Sequence, residues 1–189
     1  MMIRRFAVLA AAVLAASPAL AADSYSFDKA HTTVLFQVRH IVTNVTGKFK
    51  DFEGQIQVDK ANPAASTVDF TIQAASIDTN EPKRDEHLRS ADFFNVAEFP
   101  TMTYKSTNVV FAGDTPTVVQ GELTLLGVTK PVAITVERFR CNPATATAKE
   151  RCGGSATAKI KRSDFGMKRG IPSIGDDVAL SFGFEGDKD

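Results

Sequence analysis

The strongest constraint on this chain is a period of two in its apolar residues. Val34, Phe36, Val38 and His40 fall on one face of an extended segment, with Thr33, Gln37 and Arg39 on the other. Phe52, Gly54, Ile56 and Val58 repeat the pattern against Glu53, Gln55, Gln57 and Asp59. Val68, Phe70, Ile72 and Ala74 follow, then Met102 with Tyr104, Leu123 with Leu125, and Val132, Ile134 and Val136. Ala156, Ala158 and Ile160 and then Val178, Leu180, Phe182 and Phe184 complete the series. A period of two places successive side chains on opposite faces of a strand, so each segment has one face to bury and one to leave in water.

Turn-forming residues punctuate the runs: Asn62-Pro63, Ala112-Gly113-Asp114, Gly127, Asn142-Pro143 and Gly175-Asp176. About eight short strands with polar outer faces and brief links point to an antiparallel sandwich or barrel. One segment departs from this. Asn80 to Asn95 carries Pro82 early and Leu88, Ala91 and Phe94 at three-residue intervals, the pattern of one or two helical turns capped by Asn80 or Thr79.

The N-terminus reads as an export signal. Arg4 and Arg5 precede an apolar run from Phe6 to Ala16, then Ser17-Pro18 and the small-residue site Ala19-Leu20-Ala21. The apolar run is too short for a spanning helix, which needs about 20 residues. Residues 1–21 are therefore expected to be a secretory signal peptide and 22–189 a single domain. Without Arg4 and Arg5, 20 basic side chains stand against 22 acidic ones. That balance offers no basic stripe for nucleic acid.

Export bears on the two cysteines. Cys141 and Cys152 are the only pair in the chain, and in an oxidising compartment they are expected to form a disulfide. Their spacing is neither C-x-x-C nor that of a zinc knuckle, so a redox or metal role is the weaker reading. No metal ligand set emerges from the three histidines, His31, His40 and His87, since none shares a helical face with another. His40 shares the apolar face of Phe36 and Val38, so it is either a hydrogen-bonded core histidine or a ligand contact. There is no nucleophile elbow and no phosphate-binding glycine loop. Catalytic residues are not expected.

The aromatic content is unusual: 14 Phe, two Tyr and no Trp. Phe36, Phe52, Phe70 and Phe182 lie on inward strand faces, with Phe93, Phe94 and Phe99 near the helical insertion. Such residues either fill a small barrel or line one left hollow for an apolar ligand. The pattern leaves both readings open.

Taken in order, several segments resemble the YceI-like family of lipocalin-like, polyisoprenoid-binding proteins. They are 25–32 (YSFDKAHT), Phe36 to His40, Gly47-Lys48-Phe49, Asp51 to Gly54, Ala75 to Thr79, 84–94 (RDEHLRSADFF), Phe99 to Thr101, 121–132 (GELTLLGVTKPV), Arg162 to Met167 and Gly175 to Val178. The resemblance implies an all-β fold, an eight-stranded antiparallel lipocalin-like β-barrel with a short helical insertion. It also implies a periplasmic location, a homodimer in many members, and a long isoprenoid lipid in an apolar pore. That lipid would be a polyprenyl phosphate, a polyprenyl pyrophosphate or a quinone, bound as ligand with no cofactor.

On this basis the expected pore lining is Phe36, Val38, Phe52, Ile56, Phe70, Ile72, Phe94, Met102, Tyr104, Leu123, Leu125, Ile134, Val136, Ile160 and Phe182. His40 and Arg162 are expected near a headgroup, because a phosphate wants cationic or N–H donors. Two other readings remain beside this one: a scaffold for a membrane redox protein, and an enzyme acting on an isoprenoid headgroup through His40 or His31.

Overall fold

The computed structural model describes residues 22–59 and 61–189. The expected signal peptide lies outside these residues. Eleven strands form one antiparallel sheet: β1 (Asp23–Phe27), β2 (Thr33–His40), β3 (Thr43–Phe49), β4 (Phe52–Val58), β5 (Thr67–Gln73), β6 (Ile77–Asp78), β7 (Thr101–Ala112), β8 (Thr115–Leu125), β9 (Val128–Asn142), β10 (Arg151–Lys161) and β11 (Ile174–Lys188). The helix α1 (Pro82–Arg89) stands between β6 and β7.

The eleven segments make an eight-stranded barrel. The long β11 pairs with β2 between Ile174 and Gly183 and with β1 between Gly186 and Lys188. β2 then pairs with β3, and β1 pairs with β4. So β1 with β2, and β3 with β4, are two kinked strands lying side by side, interrupted near residues 28–32 and 50–51. With β5, β7, β8, β9, β10 and β11 they close the ring in the order β1-β4-β5-β7-β8-β9-β10-β11-β1. Closure leaves no unpaired edge around the ring.

The alternation in the sequence identifies β2, β4, β5, β7, β8, β9, β10 and β11. It misses β1, the short β6, and β3, where Thr43, Asn44, Thr46 and Lys48 dilute the apolar face. β3 instead contributes Gly47 opposite Phe36. A Cβ at Gly47 would lie 2.4 Å from the Phe36 ring, so glycine there leaves the ring its place. The Gly175-Asp176 turn is also displaced. These residues lie in β11 beside a bulge between Ile174 and Val178, and the connection from β10 runs through residues 162–173.

α1 occupies the expected helical segment, with Pro82 in its first turn. Its N-cap is Glu81, whose carboxylate accepts from the Lys83 N–H, rather than Asn80 or Thr79. Asn80 has φ 60°, which places it before the helix, and Thr79 is occupied elsewhere. The buried Asp85 accepts from the Thr79 N–H and hydroxyl at 2.9 and 2.6 Å. Arg84 donates to the Thr79 carbonyl, and Arg89 to the carbonyls of Ala75 and Ile77. These bonds fix α1 across one end of the barrel, above the fully buried Ile77.

Candidate functional site

The inward faces of the strands enclose two cavities in line. The larger is about 380 Å³ and lies at the end that carries α1, the β2–β3 hairpin and the 162–173 connection. The smaller is about 120 Å³ and lies towards the β7–β8 turn. Val34, Phe70, Ile134 and Phe182 line both, so they form a waist between the chambers. At the waist the rings of Phe70 and Phe182 stand 5.9 Å apart, and Phe70 stacks on Tyr104 at 5.1 Å.

Every residue expected on the lining borders one chamber or the other. Phe36, Val38, His40, Ile72, Phe94, Met102, Tyr104, Leu123, Leu125, Ile160 and Arg162 border the larger. Phe52, Ile56 and Val136 border the smaller. Phe70, Ile134 and Phe182 stand at the waist. The lumen is thus partly filled and partly hollow, a mixture of the two readings the aromatic content allows.

Other lining residues escape the sequence reading for identifiable reasons. Val45 and Phe49 belong to the diluted β3, and Leu88 and Phe93 come from α1 and the turn after it. Met167, Arg169, Gly170 and Ile174 lie in or beside a connection with no period to read. Phe139 lines the smaller chamber although it is out of phase with Val136. A bulge between Val136 and Arg138 opposite Ala156 and Ser155 supplies the extra residue that turns it inward. Gly154 permits that bulge, because a Cβ there would lie 2.0 Å from the Arg138 carbonyl oxygen.

The polar groups are distributed unequally. Arg84, Arg162, Arg169, His40 and His87 border the larger chamber, and among the described residues no carboxylate does. The smaller chamber is bordered by Asp114 and by no basic side chain. Within the basic set Arg162 is distinct. It is 4% exposed, and its guanidinium donates to the carbonyls of Gly175, Met167 and Ile174 at 2.7, 3.0 and 3.1 Å. Burial lowers its pKa, and the three carbonyls hold the 162–173 connection against β11.

Tyr104 is buried too, with its hydroxyl 3.1 and 3.0 Å from the carbonyls of Val119 and Val132, and burial raises its pKa. His87 bonds to Asp92 at 2.9 Å, which holds the Asp92 carboxyl below the usual range. Arg169 lies 3.8 Å from the same carboxylate. His31 is remote from the chambers. It pairs with Asp28 at 2.7 Å in the exposed turn between β1 and β2, and that bond raises its pKa.

Cys141 and Cys152 face each other across β9 and β10 and are joined by a disulfide. Glu150 reaches the same place and accepts a hydrogen bond from the Tyr25 hydroxyl. Among the described residues no helix is long and apolar enough to cross a membrane.

Comparison with known proteins agrees with this architecture. Residues 25–186 match the YceI-like domain. The protein YceI of Escherichia coli O157:H7 is 41% identical over 180 residues, covering 94% of this chain and 93% of that protein. A UPF0312 protein of Ectopseudomonas mendocina is 38% identical over 183 residues, with 95% of each covered. Among solved structures, Burkholderia cenocepacia BcnA superposes with a TM-score of 0.67 at 27% identity, over 84% of this chain and 98% of that one. The Campylobacter jejuni YCEI protein gives 0.65 at 32% identity, over 80% and 90%. A polyisoprenoid-binding domain from Saccharophagus degradans gives 0.62 over 87% and 98%, and at 18% identity it shares the fold.

Proposed function

The chain belongs to the YceI-like family, and we propose that it is a periplasmic binding protein holding a long isoprenoid lipid in its barrel. The observation that carries this reading is the pair of chambers in line, walled mainly by apolar side chains and bordered by basic ones at one end. A prenyl chain is long, flexible and wholly apolar. Each buried CH₂ contributes roughly 0.8 kcal/mol, so a lumen needs few polar anchors to hold it. The shared fold of a domain described as polyisoprenoid-binding supports the same ligand class.

The chamber polarity orients the ligand. The tail runs through the larger chamber towards the Phe70–Phe182 waist, whose rings must part for it to enter the smaller one, and the headgroup stays near Arg169 and His40 at the wide end. A phosphate or pyrophosphate suits that end better than a quinone ring, because guanidinium groups form short, charge-assisted bonds to phosphate oxygens.

The test is native mass spectrometry of the protein purified from a periplasmic extract, with extracted lipids identified. A copurified polyprenyl phosphate or pyrophosphate is the expected result. A protein that carries no prenyl lipid and takes up no dansylated polyprenyl phosphate from detergent micelles would overturn the reading.

A further inference from the structure

The wide end of the barrel carries an apolar tip that the lumen does not use. The β2–β3 hairpin turns on two residues, Ile41 and Val42, which are 59% and 94% exposed. Ile171, also exposed, lies in the neighbouring 162–173 connection. Arg39 joins the two loops: its guanidinium donates to the Ile41 carbonyl at 2.9 Å and to the Pro172 carbonyl at 2.5 Å. The Ile41 N–H donates to the Ser173 carbonyl at 2.8 Å. Ile41, Val42 and Ile171 are therefore presented together on bonded backbone.

Two further features set this tip apart. Ile41 has φ 55°, a left-handed conformation that β-branched residues avoid and that glycine or asparagine adopts with ease. The hairpin thus keeps an apolar residue where the backbone favours another type. The flanking segments are also of one sign. Residues 39–44 and 167–174 contain Arg39, Lys168 and Arg169 and no carboxylate, Asp92 beside Arg169 being the nearest acid the ion pairs record. The tip adjoins the mouth of the larger chamber, which His40, Arg169, Gly170 and Ile174 border.

We infer that this tip docks the protein on an anionic lipid bilayer, with Ile41, Val42 and Ile171 entering the headgroup boundary and the basic residues meeting lipid phosphates. The inference rests on the proposed lipid cargo and adds the surface from which that cargo is loaded. A bilayer fits better than a protein partner, because three apolar side chains fall far short of the roughly 800 Å² per side of a stable protein interface. Shallow insertion combined with nearby basic residues is the established physics of interfacial binding. Docking in this orientation places the chamber mouth against the membrane, so a prenyl tail moves from one apolar medium to another without crossing water.

The test is flotation with protein-free vesicles of phosphatidylcholine alone or with phosphatidylglycerol, comparing the wild type with the Ile41→Asn/Val42→Ser variant. Neither position lines a chamber, and asparagine suits the backbone at 41. The wild type is expected to float with the anionic vesicles, and the variant to bind them about tenfold more weakly. Binding should also fall in high salt, which shortens the screening length to about 3 Å at 1 M. Equal flotation of the two proteins overturns the inference, as does wild-type binding confined to native membranes that retain their proteins. Uptake of dansylated polyprenyl phosphate from micelles is measured on the same samples. Uptake retained by both proteins with no vesicle binding sinks the docking surface alone, whereas uptake absent from both sinks the cargo reading.

Discussion

Phe70 of β5 and Phe182 of β11 face each other across the lumen, their ring centroids 5.9 Å apart and their planes at 49°. No hydrogen bond fixes that separation. It follows from Phe70 stacking on Tyr104, whose ring is held in turn by two carbonyls of the barrel wall. The waist is thus firm on the Phe70 side, and Phe182 is the simpler residue to change.

Phe182→Ala should join the two chambers. Its cost in stability is about 3 kcal/mol, the low end for a phenylalanine truncation, since the ring is only partly buried. Affinities for prenyl phosphates of increasing length, measured by displacement of a fluorescent analogue, should then rise most for the longest chains. An unchanged ratio of long-chain to short-chain affinity would show that tails do not pass the waist.

Headgroup selectivity should reside in Arg84 and Arg169. Changing both to Gln removes two cations from the chamber mouth and, at Arg84, the bonds to Thr79 that anchor α1, so thermal unfolding is measured alongside. Affinity for a polyprenyl phosphate should fall by roughly tenfold or more, about 1.5 kcal/mol or above for charge-assisted bonds. Affinity for the uncharged prenol should hold. Calorimetric titration of both lipids checks this, and parallel losses would remove the headgroup assignment.

Arg162 should act on stability before it acts on binding. Arg162→Leu leaves the carbonyls of Gly175, Met167 and Ile174 without their donor, at a cost of about 3–5 kcal/mol. Arg162→Lys should recover little, because an ammonium cannot reproduce the planar fork. Urea denaturation of the three proteins reads the difference, and a stable Leu variant would contradict the assignment.

The disulfide should stabilise the β9–β10 end. Cys141→Ser/Cys152→Ser is expected to lower stability by about 3 kcal/mol on the chain-entropy treatment of a loop this size, or by several degrees in Tm. Differential scanning calorimetry with and without reductant tests it. The reductant should shift only the wild type.

The pair of His31 and Asp28 predicts a modest pH dependence. The hydrogen bond to Asp28 raises the His31 pKa above its ordinary value near 6.5, so this contribution is complete below about 6.5 and fades as pH rises through the folded pKa. The same bond lowers the Asp28 pKa, so that contribution holds above about 3.9 and fades as pH falls through the folded value. The pair therefore helps most between the two, and slightly, since both groups are solvated. NMR titration should place the His31 midpoint above 6.5 and return it there in Asp28→Asn; a midpoint insensitive to that change would refute the pairing.

Much of this architecture is legible because a barrel wall imposes one rule on every strand. Phe70, Ile72, Met102, Tyr104 and Leu123 alternate with polar neighbours, and each borders a chamber. What escapes the rule is local. β3 hides because Gly47 yields its place to Phe36, and Phe139 hides because a bulge reverses the phase of β9. The mouth is the least readable part. Met167, Ile174 and Gly175 are set by hydrogen bonds from Arg162, which link residues far from one another in pattern. A basic side chain in a sequence does not disclose whether its donors turn to the lumen or to the backbone. Arg162 commits its donors to Gly175, Met167 and Ile174 and Arg84 to Thr79, whereas Arg169 meets the Asp92 carboxylate.

The ring also closes through its two most distant segments. Tyr25, Ser26 and Phe27 pair with Lys188, Asp187 and Gly186, and the Asp189 N–H donates to the Ser24 carbonyl. The β1–β11 pairing thus joins residues more than 150 positions apart, among the longest-range contacts between the described strands. Joining β1 to β11 therefore closes a loop of most of the described chain, at an entropy cost that the neighbouring hairpins do not carry. The container is sewn shut at the joint that costs most chain entropy, while its hairpins supply the other joints at a smaller loss.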